Sequence, residues 1–324
     1  MLTLKQLPEM LSLVIPVYRN EESLDDLLAA IHGLDTSLKG DFEAVFVVDG
    51  SPDACYPNLR RRLPGCAFRS QLILLSRNFG SFTAIRTGLE HGKGDRFAVM
   101  AADLQEPPQL VLDMNEILVR DEADVILGVR EARNDPLSSR IFSRLYWGMY
   151  RKFVMPDIPP GGVDMFGCNK FFRDMLLELQ EQNTSLVGQL FWLGFRRKTV
   201  SYIRQARQHG KSAWTFHKKW RYVMDSLFSF TDLPITLLVR LGALGTMAAG
   251  LLGIIVLVAR LQGLIDVPGY AMTILTIALL GSINLLGIGI VGSYAWRTYE
   301  NTKKRPLAIP MKVSVFGSNN ERQT

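Results

Sequence analysis

The chain has 324 residues, 48% of them apolar and 21% charged, with a net charge of +6 and a mean hydropathy of +0.11. This balance excludes disordered and fibrous chains and points to a protein that lies partly in a membrane. Three cysteines, Cys55, Cys66 and Cys168, form no C-x-x-C pair and are too few for a disulfide framework, which fits a reducing compartment. The four histidines show no spacing suited to tetrahedral zinc. The first apolar run, Leu11 to Val17, is too short for the core of a signal peptide, so none is expected.

From the N-terminus, short apolar runs alternate with helical stretches. Leu11 to Val17, Ala44 to Val48, Gln71 to Leu75, Phe97 to Ala101 and Asp124 to Val129 read as strands. Helices are predicted over Glu21 to Gly33, Phe82 to His91 and Pro108 to Arg120, the last opening with a proline whose missing N–H costs nothing in a first turn. A βα repeat of this kind predicts an α/β fold with a mostly parallel, Rossmann-like sheet, and ligands of such sheets bind beyond the carboxyl ends of the strands. Those places are polar: Tyr18 to Glu22 after the first strand, Asp49-Gly50-Ser51-Pro52-Asp53 after the second, Ser76 to Gly80 after the third, Asp103-Leu104-Gln105-Glu106 after the fourth, Arg130 after the fifth. A lone acid at a strand end is commonly a helix cap. Two acids at neighbouring strand ends, with Gln105 two residues beyond Asp103, suit a hard cation carrying phosphate oxygens. Neither a P-loop nor a dinucleotide fingerprint stands after any strand.

Further along, Arg196 to Tyr222 holds nine Lys and Arg and no acid, which leaves the rest of the chain net negative. With Trp214, Phe216, Trp220 and Tyr222 among them, these charges could meet nucleic acid or an anionic membrane surface. Two apolar runs on their C-terminal side decide for the membrane. Leu241 to Ala259 is 19 residues without a charge and Val267 to Trp296 is 30, against the roughly 20 needed to cross a hydrocarbon core. Gly245, Ala249 and Gly253 put small residues on one face of the first run, where another helix could approach. Phe216, Trp220, Val223, Leu227 and Phe230 recur at helical spacing just before it, as in a helix lying in the headgroup plane. Arg240, Arg297, Lys303, Lys304 and Arg305 flank the runs while the short connection is nearly neutral, so both termini are expected in the cytoplasm.

Taken in order, Ile15-Pro16-Val17-Tyr18 with Glu21-Glu22, Val48-Asp49-Gly50-Ser51, Leu75-Ser76-Arg77-Asn78-Phe79-Gly80, Ala102-Asp103-Leu104-Gln105-Glu106-Pro107-Pro108, Gly161-Gly162-Val163-Asp164 and Arg207 to Trp214 resemble family 2 glycosyltransferases of the GT-A fold. More narrowly, the chain is similar to the polyisoprenyl-phosphate glycosyltransferases, a group that includes dolichyl-phosphate mannose synthases and bacterial undecaprenyl-phosphate glycosyltransferases. The resemblance runs from about Leu11 to Pro306. It implies a GT-A catalytic domain over 1–213, a juxtamembrane interfacial helix within 214–236, a transmembrane hairpin over 237–297 with helices at about 241–260 and 271–296, and a cytoplasmic tail over 298–324, all at the inner (cytoplasmic) membrane.

The same resemblance implies an inverting transfer of a hexose-type sugar from a nucleotide-sugar, UDP-glucose or similar, to polyprenyl phosphate, giving a lipid-linked sugar for the cell envelope. A GDP-mannose donor and a non-catalytic partner of a lipid-sugar flippase are the alternatives. A processive polysaccharide synthase is disfavoured by the few spans and the missing Gln-x-x-Arg-Trp motif. Asp103 and Gln105 are implied as ligands of Mg2+ or Mn2+, with Pro16, Tyr18, Glu21, Asp49, Asn78 and Ala102 at the nucleotide-sugar. Arg130, Arg144, Arg207 and Lys211 are implied at phosphates, and Asp164 near the acceptor, as a base or as a turn-capping carboxylate. Val48 and Ala101 stand where the family often has a further acid, so the cation is expected to have fewer protein ligands, and Arg19-Asn20 stands where Asn-Glu is usual. A homo-oligomer, in this group a tetramer, is expected, and nucleic acid is not.

Overall fold

The computed structural model describes residues 10–131, 148, 150–152, 155–159, 162–205, 224–262 and 269–317. The chain divides into two compact units, one of Met1–Lys219 with Pro306–Thr324 and one of Trp220–Arg305.

The first unit holds one eight-stranded sheet. Its strands are β1 (Leu11–Val17), β2 (Phe42–Val48), β3 (Arg69–Leu75), β4 (Arg96–Val99), β5 (Val125–Arg130), β6 (Met165–Asn169), β7 (Arg197–Tyr202) and β8 (Pro310–Phe316), in the order β7-β5-β6-β4-β1-β2-β3-β8. Six run the same way; β6 runs against both β4 and β5, and β8 against β3. The middle strands are mostly apolar because helices cover both faces, with buried polar residues only near their amino-terminal ends. On one face Leu11, Leu13, Ile15 and Val17 pack with residues of α1 (Leu24–Ser37), α2 (Cys55–Arg62) and α4 (Gln109–Val119). On the other, Val14, Val45, Val47 and Ile73 pack with α3 (Ser81–His91), α5 (Lys170–Glu178) and α6 (Leu186–Trp192).

All five predicted strands and all three predicted helices are present, with shifted ends. The first helix is preceded by a 3-10 turn, Glu21–Ser23, and Pro108 is the cap before α4 instead of its first residue. β4 ends at Val99, so Ala101 and Asp103 both lie in the loop beyond it. β2 starts two residues before the apolar run because Glu43 belongs to the strand, buried and in register with Ser12. Not read from the sequence were α2, α5, α6, β6, β7 and β8. β7 falls inside the basic segment and β8 inside the C-terminal tail, where charge and position hid the strands.

The second unit contains α7 (Leu233–Leu261), α8 (Tyr270–Thr302) and, among the described residues before them, helix over 224–230. Leu233–Val256 and Leu279–Thr302 are long and apolar enough to span a bilayer, and neither is buried. Leu244, Leu251 and Leu285 are exposed, an arrangement that water penalises and lipid does not. The small-residue face of α7 does not make the hairpin's own contact: among the described residues nothing lies within 4 Å of where a side chain at Gly245 or Gly253 would be, whereas Gly287 of α8 meets Leu238. Of the amphipathic stretch from Phe216, only 224–230 falls within the described residues, and it is helical.

Glu43 ties the amino-terminal ends of three strands together. Ser12 Oγ donates to its Oε1 (2.5 Å) and Gln71 Nε2 to its Oε2 (3.1 Å), and the backbone N–H of Lys93 also donates to it. Gly94 N donates in turn to Ser12 Oγ (2.8 Å), which fastens the turn into β4. Glu43→Ala should cost about 2–4 kcal/mol, because it strands buried donors, and Glu43→Gln clearly less. Thermal unfolding of the full chain in detergent checks this, and an unchanged midpoint for the alanine variant would remove the clamp.

Candidate active site

Because six strands share a direction, their carboxyl ends and the loops after them meet along one edge of the sheet. β6 adds its beginning to that edge, since it runs the other way, and so places Asp164 beside Arg130 at the end of β5 and Tyr202 at the end of β7.

One half of the edge is built on Asp49. Its carboxylate is 2% exposed and accepts the backbone N–H of Phe79 (2.7 Å) and of Gly80 (2.9 Å), just before α3 starts, while Asn78 Nδ2 donates to its carbonyl (3.3 Å). An anion on orphan N–H groups at a helix start is favourable. The loops after β2 and β3 can approach this closely only because residue 50 is glycine: its φ is +55°, and a Cβ there would lie 2.2 Å from the Arg77 carbonyl carbon. Asp49 therefore shapes the loops, and the more accessible polar groups beside it are Ser51 and Asp53. Asp53 accepts from Ser51 Oγ (2.6 Å) and the Cys55 thiol (3.1 Å). Burial works against its charge, but the hydrogen bonds from Ser51, Cys55 and Glu21 hold its pKa below the usual value. Burial and Asp53 push the Cys55 thiol up to about 12, so it stays a donor.

The loop after β1 closes over this half. Tyr18 N donates to Asn20 Oδ1 (3.1 Å) and Arg19 N to Ser51 Oγ (2.8 Å). Arg19 has a left-handed φ of +56° and its guanidinium lies 5.4 Å from the Tyr18 ring centroid. Glu21 accepts from Ala54 N (3.0 Å) and Asn58 Nδ2 (3.2 Å), which fixes it to the start of α2. Pro16 sits inside β1 opposite Val47, and the carbonyl of buried Ala102 accepts from Ser23 Oγ (3.1 Å).

The other half carries the charges. Half-buried Asp103 accepts from Gln105 N (3.4 Å), and Leu104 between them has a φ of +51°. The Gln105 side-chain oxygen accepts from the Arg204 guanidinium, and Gln105 O from Gln205 N (2.9 Å), so the chain leaving β7 is stitched to this loop. Glu106 is 2% exposed, 3.8 Å from Arg204 Nε. Burial and the neighbouring Asp164 charge raise its pKa to about 7 against the partial relief from Arg204. Asp164 accepts from Arg130 Nε, from Arg130 Nη2 (2.6 Å) and from Tyr202 OH (2.7 Å). Burial alone would weaken the charge on Arg130, but Asp164 more than restores it and its pKa is raised. Burial and Asp164 also raise the pKa of Tyr202, which remains a hydroxyl.

A divalent cation is tested by this donor set. Magnesium-like ions take one or two carboxylates and leave other positions to water and phosphate. Asp103 suits that role. Gln105, as placed, has its oxygen on a guanidinium, which would compete with a cation. Among the described residues no three His, Cys, Asp or Glu side chains gather as a metal cluster. Arg144, Arg207 and Lys211 lie outside the described residues. Sequence reasoning passed over Glu106, Tyr202, Arg204, Asp53 and Cys55 as site members. Glu106 stands in the polar loop motif after β4 and Arg204 in the basic segment, so both had a signal; Tyr202 had none, because only the pairing of β5 with β7 brings it to Asp164.

Glycosyl transferase family 2 matches residues 12–179, just over half of the chain, and those residues contain nearly all of β1 to β6 together with Asp49, Asp53, Asp103, Glu106 and Asp164. The chain belongs to this family. This glycosyltransferase is 31% identical to the uncharacterized glycosyltransferase YkcC of Bacillus subtilis (strain 168), over 96% of this chain and 95% of that protein. It is 28% identical to the bactoprenol glucosyl transferase of Shigella phage SfII, over 93% of this chain and 97% of that one. It is 27% identical to the prophage bactoprenol glucosyl transferase homolog of Escherichia coli (strain K12), over 94% and 99%. These matches run through both units of the glycosyltransferase.

Glu106 gives it a pH signature. Folded, Glu106 keeps its proton up to about pH 7, whereas the unfolded chain releases it near the ordinary 4.5. The folded state binds the extra proton between those values, so this contribution to stability is full below the lower one and is lost as pH rises to the upper. Glu106→Gln cannot titrate and should flatten that part of the profile. Urea midpoints of both proteins at each end of the window check this; parallel profiles would exclude Glu106 as the source.

Proposed function

We propose that this glycosyltransferase moves a hexose-type sugar, with inversion, from a nucleotide-sugar such as UDP-glucose to a polyprenyl phosphate at the cytoplasmic face of the inner membrane. The observation that carries the reading is the joining, in one chain, of an acid- and arginine-lined family 2 site to two unburied apolar helices. Relatives named as bactoprenol glucosyl transferases match along both parts, which supports a lipid-linked acceptor.

In this reading Asp103 holds Mg2+ or Mn2+, which when bound supplies positive charge to the leaving diphosphate. The loops around Asp49, Asn78, Ser51 and Tyr18 receive the nucleotide. Arg130 faces phosphate with its charge secured by Asp164, and Tyr202 keeps Asp164 turned toward it. Three of the roughly four lone-pair directions of the Asp164 carboxylate are thereby occupied, which suits a residue that orients Arg130. A phosphate acceptor allows that, because its second pKa is about 6 and it reaches the site largely ionised. Arg144, Arg207 and Lys211 are proposed at the acceptor phosphate.

Incubating the full chain and a polyprenyl phosphate with a panel of UDP-, GDP- and dTDP-sugars tests the reading. A lipid-linked hexose from UDP-glucose is expected, and no lipid product with any donor would overturn it. Asp103→Asn should lower transfer by about 100-fold with folding intact, since it removes one charge from a cation site without changing its shape. Equal turnover of the variant across a magnesium titration would exclude the metal role. A reporter inserted at Val267 should face away from the cytoplasm and one after Thr324 into it; both on one side would mean that one helix does not cross.

A further inference from the structure

The helical residues 224–230 present two opposite faces. At about 100° per residue, Asp225 and Phe228 lie on one side and Leu227 and Phe230 on the other. The first side meets α8. Asp225 Oδ1 pairs with Arg297 Nη2 at 2.8 Å, with both side chains under one-fifth exposed (18% and 19%). The Phe228 ring lies 5.1 Å from the Tyr294 ring and 5.1 Å from the Arg297 guanidinium carbon. Tyr294 OH donates to Thr231 O at 3.4 Å. Positions 225 and 228 thus engage 297 and 294, two three-residue steps running in opposite directions, so the helix packs against the end of α8 antiparallel to it. Phe228 and Tyr294 shield the ion pair, which makes it stronger than an exposed one.

The second side, Leu227 and Phe230, continues the apolar stripe that begins at Phe216 in the sequence. An isolated interfacial helix is free to rock and slide in the headgroup layer, since only apolar burial holds it. Fixing it to a membrane-spanning helix removes that freedom.

We propose that Asp225, Phe228, Tyr294 and Arg297 form a latch that locks the juxtamembrane helix onto the second span, and that the latch positions the chain for a lipid-borne acceptor. The positioning role rests on the proposed transfer to a polyprenyl phosphate. None of the four residues touches reacting atoms; they are positioning residues, acting through the depth at which residues 224–230 are held at the headgroups.

Asp225→Arg, Arg297→Asp and the charge-swapped double variant test the latch in the full chain, reconstituted in phosphatidylglycerol vesicles containing undecaprenyl phosphate. Hydrogen exchange over 224–230 reads the latch itself. It should be faster in either single variant and return to the native rate in the double variant. With the donor that supports transfer, each single variant should raise the apparent KM for the lipid acceptor by about tenfold while the donor KM stays within about twofold, and the double variant should restore both. Native hydrogen-exchange rates in the single variants would overturn the latch. Altered exchange with an unchanged acceptor KM, or with acceptor and donor constants rising together, would overturn its positioning role. Absence of transfer in the wild-type protein would strike the reading of the reaction and leave the hydrogen-exchange data to decide the latch.

Discussion

The site depends on the direction of one strand. β6 lies between β4 and β5 and runs against both, so its first turn, with Asp164, arrives at the edge where the other strands finish. Had it run with its neighbours, that acid would sit at the opposite edge, a strand length away. Arg130 would then be a partly buried cation without its carboxylate, and burial would weaken its charge where now its pKa is raised. Tyr202 and Arg204 reach the same edge only because β7 pairs in parallel beyond β5.

Buried carboxylates in this unit are handled in three ways. Asp49 and Glu43 are met by backbone and side-chain donors and serve as fasteners between loops and strands. Asp53 is partly buried but hydrogen-bonded on both oxygens, and its pKa is lowered. Glu106 is deeply buried near Asp164 and Asp103, with a loosely placed Arg204 in partial relief, and its pKa is raised to about 7. The difference follows burial, which is deep at Glu106 and partial at Asp53, together with the number of donors each carboxylate meets. The first two groups are architecture. Glu106, lying between the Asp103 loop and the chain leaving β7, is where charge is least settled.

In the second unit polar contacts gather at one end of α8. Arg297 and Lys303 stack on aromatic rings, Lys303 over both Trp296 and Tyr299. Rings with one apolar and one polar side, next to cations, suit a headgroup layer. The latch through Asp225 uses the same pairing inward: the Arg297 guanidinium lies beside the Phe228 ring while it holds the Asp225 carboxylate.

The sequence by itself determined the α/β class, the position of the acid-bearing loops and the two apolar helices, because each of these is local. A strand of period two, a polar loop after it and an uncharged stretch of membrane length are all visible within a short window. Asp49, Asp103 and Arg130 could be placed at strand ends on that basis. What each side chain does there was decided by residues far away in the chain. Asp49 became a loop fastener because Phe79 and Gly80 offer it their N–H groups, and Gln105 met Arg204 from 99 residues on. β8 could not be read at all, since an edge strand of mostly exposed residues gains its identity from the β3 backbone it pairs with. Pairing register and strand direction are long-range properties, settled by which hydrogen bonds and buried faces can be satisfied together, and that sum exists only in the folded chain.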